Sequence, residues 1–304
     1  MIRFAFGLRR SLDRGYCVQA GLGGTREKNL MSYAESVLRS ADCELKASQT
    51  KEAFEWIQGM KGNMDSAEGG GGTEWVLGPS RVALDMPSRP RKPILLPPRE
   101  MPSHKQLKVP LADYLLHCLA HVELNAIDVV WDTILRFRSE PSALPLSFYM
   151  DMVSIAADEA RHFTLLCARL RAKNLSYGSL PAHTGLWEYA EKTKYDFKGR
   201  IATMQLVQEA RALDSWDRLV TKFKSQGDLE SSRIIDQICR EEIDHVKKGL
   251  YWFNWICRKE NLDSVLTFRE CVRSYVGKIP PPFNDDARAT AGMSREWYDS
   301  LQEK

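Results

Sequence analysis

From Leu111 to about Arg258 apolar residues recur at intervals of three and four, in segments too long and too weakly alternating for strands. Four long helices are predicted: about Leu111 to Arg138, ending before Pro141; near Leu146 to about Ala172; roughly Leu186 to Lys224, stopped at Gln226 and Gly227; and about Leu229 to Arg258. The link within each successive pair is short, so each pair should lie antiparallel in a bundle over residues 111–260. Upstream, Tyr33 to Met60 has helical spacing with a polar interruption near Asp42, which predicts a short helical hairpin within residues 25–62. Gly69 to Gly72 and the proline-rich run from Pro87 to Pro98 cannot sustain a helix or a central strand, so residues 63–110 are expected to form an extended strap across the core. Residues 261–304 are expected to add a helical tail, and the predicted fold class is all-α.

Placing the polar residues on these helices changes the picture. On the first, Leu116, Leu119, Ala120, Glu123, Ala126, Ile127 and Val130 share one face, which sets the Glu123 carboxylate in an apolar stripe. The second aligns Met152, Ile155, Glu159, His162 and Leu166, and the third aligns Ala202, Leu206, Glu209, Leu213, Trp216 and Val220. The fourth aligns Ile235, Ile238, Glu242, His245, Gly249 and Trp252. A charged, unpaired glutamate on such a stripe is costly, and four of them call for one shared explanation. Metal ions supply it.

Depth along the bundle agrees. Glu123 and Glu159 each lie 18 residues from Pro141, and at ~1.5 Å per residue this places them level. Glu209 and Glu242 flank the turn at Gln226 and Gly227 with at most roughly one helical turn of mismatch. Glu159 with His162, and Glu242 with His245, are three apart, so each pair projects from one side of its helix. The predicted ligand set is therefore Glu123, Glu159, His162, Glu209, Glu242 and His245, the arrangement of dinuclear carboxylate bundles. Four carboxylates balance two divalent cations. A lone Glu-x-x-His pair is weak evidence, since a solvated helix face or a satisfied core histidine explains it as well. Two pairs alternating with two isolated glutamates at matched depth are much harder to obtain independently.

Composition and charge narrow the rest. With 304 residues, 43% of them hydrophobic and 27% charged, the chain can build one large core or two small ones. A formal charge of +3 and the lack of a Lys/Arg run interleaved with aromatics give no support for nucleic-acid binding, without excluding it. The seven cysteines are scattered, with no close pairs of a zinc or redox motif, and read as reduced thiols of an intracellular protein. No stretch approaches the roughly 18 apolar residues of a membrane span, and no secretory signal core is present. Met1 to Gly24 carries Arg3, Arg9, Arg10 and Arg14 among Phe4, Phe6 and Leu8. It suits a mitochondrial transit peptide and a frayed basic terminus equally, which leaves mitochondrial and cytoplasmic placement open.

The stretch Asp158-Glu159-Ala160-Arg161-His162 resembles the signature of oxygen-activating di-iron proteins such as bacterial multicomponent monooxygenases and ribonucleotide reductase small subunits. The resemblance implies that the acid before the ligand glutamate orients a ligand histidine, a role falling to Asp158 and, by position, to Glu241. The second motif departs from the pattern, with Glu241 where aspartate is usual and Asp244 where the counterpart of Arg161 would stand. A longer similarity, from about residue 30 to the end, is to the ferritin-like family catalogued as domain of unknown function 455. It is carried by Pro97-Pro98-Arg99-Glu100-Met101-Pro102, Ala120-His121-Val122-Glu123-Leu124-Asn125-Ala126-Ile127-Asp128 and Pro181-Ala182-His183-Thr184-Gly185-Leu186-Trp187-Glu188. Glu209-Ala210-Arg211-Ala212-Leu213-Asp214 and Pro282-Phe283-Asn284, followed by Ala287-Arg288, complete it. This similarity implies a ferritin-like four-helix bundle and says little about substrate.

Two functional classes follow. In one, two iron ions, or manganese or a mixed manganese–iron pair, activate dioxygen with electrons from a donor and oxidise an organic substrate. A ferritin-like tRNA hydroxylase among the distant relatives extends the expected substrates to RNA. In the other, the metal is structural or absent and the bundle is an interaction or assembly module. His117 and His121 are expected at the surface or in a supporting role, because His121 lies two residues from Glu123 and so faces away from the stripe. His183 reads as a structural loop histidine, with a place at a pocket mouth as the alternative. Trp187, Trp252 and Trp255 read as core anchors.

Overall fold

The computed structural model describes residues 28–64, 72–140 and 144–301. The arginine-rich start, most of the glycine run and Pro141 lie outside the described residues. Helices α1 (Leu30–Arg39) and α2 (Cys43–Met64) form an N-terminal hairpin, and α3 (Gly72–Leu77) follows. The long helices α4 (Leu111–Arg136) and α5 (Leu146–Ala172) come next. Then follow α6 (Gly185–Lys192), α7 (Phe197–Arg200), a π-helical stretch Ile201–Gln208 and α8 (Glu209–Ser225). Helices α9 (Leu229–Lys259), α10 (Ser264–Tyr275) and α11 (Asp285–Thr290) complete the all-α fold.

Local chemistry explains the boundaries. Asn29 and Ser32 cap α1 reciprocally, each side chain accepting from the other's backbone N–H. Pro110 and Pro145 stand immediately before α4 and α5, positions where a missing N–H is not needed. Asp228 caps α9 by accepting from the Ser231 N–H at 3.0 Å. The same carboxylate takes Arg169 and Lys173, at 2.6 and 2.9 Å, and so ties the start of α9 to the end of α5.

The single third helix expected over Leu186 to Lys224 is broken. Asp196 caps α7 by accepting from the Gly199 N–H at 3.0 Å. Arg200, fully buried, donates to the Ala190 carbonyl at 2.7 Å, Thr193 Oγ1 at 3.0 Å and Asp132 at 2.7 Å. These contacts pin the end of α6 to α4 and redirect the chain, so tertiary hydrogen bonding overrides the helical period. In the π stretch the backbone passes so close to α9 that a Cβ on Gly249 would lie 2.5 Å from the Gln205 carbonyl oxygen. Glycine is therefore what lets the two helices meet at this depth.

Helix α4 packs along α5 and α8 along α9, while α5 meets α9 across the middle. The strap crosses α4, where Arg89 donates to Asn125 at 2.8 Å and pairs with Asp128 at 3.0 Å. Its Leu95 and Leu96 pair in parallel with Ala182 and His183, closing the loop before α6 over the same helix. After α10 the chain returns to the bundle, where buried Arg288 pairs with Asp214 of α8 at 2.6 Å and lies against the adjoining rings of Phe283 and Tyr298. Among the described residues no helix is long and apolar enough to cross a membrane.

Candidate metal centre

The four apolar stripes converge in mid-bundle, and each delivers its glutamate there. Glu123 comes from α4, Glu159 and His162 from α5, Glu209 from the first residue of α8, and Glu242 and His245 from α9. Ligand-capable atoms of Glu123, Glu159, His162 and Glu242 lie within 4.8 Å of one another, as do those of Glu159, Glu209, Glu242 and His245. All six residues singled out in the sequence are thus brought together, in two sets that share Glu159 and Glu242. Five of them are buried and Glu209 is slightly more open.

Both imidazoles turn the same edge inward. His162 Nδ1 lies 3.3 Å from Glu242, 3.7 Å from Glu123 and 3.8 Å from Glu159. His245 Nδ1 lies 2.9 Å from Glu242, 3.1 Å from Glu159 and 4.0 Å from Glu209. The Nε2 atoms point outward, and their partners are crossed. His162 on α5 meets Glu241 of α9 at 2.8 Å, and His245 on α9 faces Asp158 of α5 at 3.5 Å. Arg161 ties the two carboxylates together, at 2.9 Å from Asp158 and 2.6 Å from Glu241. Asp244, where a second arginine would stand, pairs with Lys248 at 2.6 Å instead.

Burial, reinforced by the neighbouring Glu159 charge, pushes the Glu123 and Glu209 carboxyls well above the usual range. Burial works in the same direction on Glu159 and Glu242, but His162 and His245 outweigh it and hold both low. It disfavours the charged imidazoles too, and the surrounding carboxylates overcome it and lift both histidines. Asp158 shows the same competition: burial raises it, and His245 with Arg161 brings it down to about 2.

The residues present could hold a metal ion. Four carboxylates in one buried site repel one another unless cations or protons intervene. Glu159 Oε1 and His162 Nδ1 are buried without a hydrogen-bond partner, and His162 Nδ1 faces three of the carboxylates. An oxygen-rich set with two imidazoles is a donor set that could hold a metal cation, which would offset the negative charge. The outward hydrogen bond from His162 to Glu241 is the kind that fixes a ligand imidazole's tautomer, and Asp158 faces His245 Nε2 as an ion-pair contact.

A cavity of about 460 Å³ opens beside the cluster, with Glu123, Glu159, Glu209 and Glu242 in its wall. His183 stands at its edge, where its Nδ1 accepts from the Gly185 N–H at 3.1 Å. The expectation of a surface place for His117 and His121 is corrected, since both are buried. The segment after α5 folds back over α4: Tyr177 bonds to His121 Nδ1 at 2.8 Å, and the Gly178 N–H donates to His117 Nε2 at 2.9 Å. Trp187 and Trp252 are buried in the core and Trp255 packs against it. Gln205 and Arg211, which also line the cavity, were passed over in the sequence. For Gln205 the signal was a polar residue within the apolar run Ile201 to Val207.

Fold and site together define an all-helical bundle protein with a buried carboxylate–histidine cluster that could hold metal. The chain belongs to the family described as "Protein of unknown function (DUF455)", whose model matches residues 39–299. A Haemophilus influenzae protein described as "Uncharacterized protein" is 34% identical over 218 residues, which cover 70% of this chain and 76% of that one. No solved structure matches.

Proposed function

We propose that this protein is a ferritin-like dinuclear metal oxidoreductase, with two iron ions preferred over manganese or a mixed pair, that activates dioxygen to oxidise an organic substrate. The observation that carries the reading is the sharing of Glu159 and Glu242 by two ligand sets, each completed by one further glutamate and one histidine. When bound, the ions would supply electrons to dioxygen, replenished by an external donor.

The chain's own residues do the positioning. Glu159 and Glu242 reach both sets, while Glu123 and Glu209 each close one. Glu241 takes the outward Nε2–H of His162 and Asp158 faces that of His245 at 3.5 Å, so that Nδ1 is the edge each histidine presents to the cluster. The apolar wall of the cavity would shield the reacting part of a substrate from water. The slight net charge gives RNA no advantage over a small organic substrate.

The test is anaerobic reconstitution with ferrous iron, elemental analysis, and then exposure to oxygen in a stopped-flow instrument. The expected result is two ions per chain and rapid optical change on mixing. Glu209→Ala should lose metal and stay helical by circular dichroism, because it removes a ligand and little packing. Failure to retain any metal would overturn the reading. Many ferric ions per chain would indicate storage, and tightly held metal inert to oxygen would indicate a structural brace.

A further inference from the structure

The cavity beside the cluster has two ends of different chemistry. Glu123, Glu159, Glu209 and Glu242 form one end, and hydrocarbon from Leu119, Val129, Leu186, Met204 and Ile238 forms the walls. Helix α8 closes one side and carries charge across it. Glu209 and Arg211 are two residues apart, so they project about 200° apart round the helix. Both line the cavity, as does Ala212 between their directions, so they occupy opposite edges of that wall. The cluster marks one edge and Arg211 the other, and exposed Glu188 and Lys192 of α6 line the same cavity.

Arg211 is half-buried, yet its Nε has no hydrogen-bond partner, and among the described residues no carboxylate pairs with it. Gln205, 1% exposed, has neither amide atom paired, and Gln208 Nε2 is also without a partner. Buried polar side-chain atoms are nearly always satisfied, and a half-buried guanidinium ordinarily finds a carboxylate. Three such residues on one wall of one cavity mark hydrogen bonds that a ligand would make. Outside the cluster the lining carries Arg211 and Lys192 against Glu188 alone, two cations to one anion, and Glu188 already accepts from Thr184 at 2.7 Å.

We infer that this cavity binds an amphipathic anion, its carboxylate head held by Arg211 and its apolar body lying along the wall toward the carboxylate–histidine cluster. Arg211 matches a carboxylate in charge and in its paired N–H geometry. The volume, about 460 Å³, falls within the ~300–1,000 Å³ of small-molecule sites. The inference rests on the proposed function only for what happens to the far end of the body, which is the part brought to the cluster.

The experiment is isothermal calorimetry with decanoate, decanol and decylamine, on metal-free protein and on protein loaded anaerobically with ferrous iron. Decanoate should bind once per chain, at least about tenfold more tightly than either uncharged or cationic analogue. Arg211→Ala should weaken decanoate by about tenfold and leave decanol unchanged, and Arg211→Lys should recover part of the loss. Decylamine binding as tightly as decanoate, no decanoate binding at all, or decanoate indifferent to Arg211→Ala would each overturn the inference. If Arg211→Ala fails to fold, the comparison of the three ligands on the unaltered protein decides alone. Metal content is measured separately. Arg211-dependent decanoate binding by a chain that holds no metal would uphold this site while the oxidoreductase reading fell.

Discussion

Glu241 on α9 hydrogen-bonds His162 on α5 at 2.8 Å, and not the histidine four residues along its own helix. The reverse contact, Asp158 of α5 facing His245 of α9 at 3.5 Å, makes the exchange mutual. Each helix thereby sets the imidazole of the other, and Arg161 joins the two carboxylates so that the register of α5 against α9 is fixed where the cluster sits.

Removing the shorter of these contacts should therefore weaken metal binding without touching a ligand. Glu241→Ala is expected to lower affinity by about 10- to 100-fold, the usual effect of losing a partner behind a ligand histidine. Competition with a chromophoric chelator measures it, alongside Asp158→Asn, for which the longer contact predicts a smaller loss. Wild-type affinity in Glu241→Ala would show that His162 is held by packing alone.

Gly249→Ala tests the close approach of the π stretch to α9. The added Cβ would meet the Gln205 carbonyl oxygen at 2.5 Å and its Cβ at 2.8 Å, and backbone cannot swing aside as a side chain can. The helices must part, at a cost of about 1–3 kcal/mol that exceeds the ~1 kcal/mol alanine gains in helix propensity. Gln205 lies one turn from Glu209 and Gly249 one turn from His245, so metal content should fall with stability. A urea midpoint at or above that of the wild type would refute the steric account.

The approximate bounds expected for α4, α5 and α9 lie within about two residues of those observed. Prolines and an aspartate cap fix the starts, and long apolar stripes carry the rest. The convergence of the six cluster residues was legible because a carboxylate on an apolar stripe is physically anomalous. The break before the π stretch was not, since Thr193 to Asp196 holds neither glycine nor proline. What holds that break is Arg200 reaching Asp132 of α4, 68 positions away. The crossed pairing of Glu241 and Asp158 depends on how two helices are rotated against each other, which spacing along one helix does not encode. His117 was misplaced for a similar reason, its partner being a backbone N–H 61 residues on.

The same histidine makes a pH prediction. His117 Nε2 accepts from the Gly178 N–H at 2.9 Å, an arrangement that requires a neutral ring, and burial pushes its pKa down to about 4. The unfolded chain, with a histidine pKa near ~6.5, takes up the proton first. The stabilisation is thus fully present above that value and is lost as pH falls toward 4. Between pH 7.5 and 5 the loss should be about 2 kcal/mol. His117→Gln, whose amide oxygen can still accept from Gly178, should be less stable at pH 7.5 but fall by about 2 kcal/mol less over that interval. Parallel urea curves for the two proteins at both pH values would contradict this.

The last prediction concerns how the N-terminal hairpin is held. Lys46 of α2 and Asp128 of α4 form an ion pair with both side chains fully buried, and Arg89 of the strap approaches the same carboxylate at 3.0 Å. Burial pushes the Lys46 pKa down and Asp128 opposes it, so the ammonium depends on that one partner. Three segments distant in sequence meet at a single carboxylate. Asp128→Asn keeps the side-chain shape and leaves the fully buried Lys46 ammonium with no counter-charge, and the uncompensated buried charge should cost about 3–5 kcal/mol. Adding Lys46→Met removes that charge, so the double variant should be more stable than Asp128→Asn. Urea unfolding of the set measures both effects, and limited proteolysis within residues 28–60 reports whether the hairpin loosens first. A loss below about 1 kcal/mol for Asp128→Asn, the scale of an exposed pair, would mean that apolar packing docks the hairpin without the buried charges.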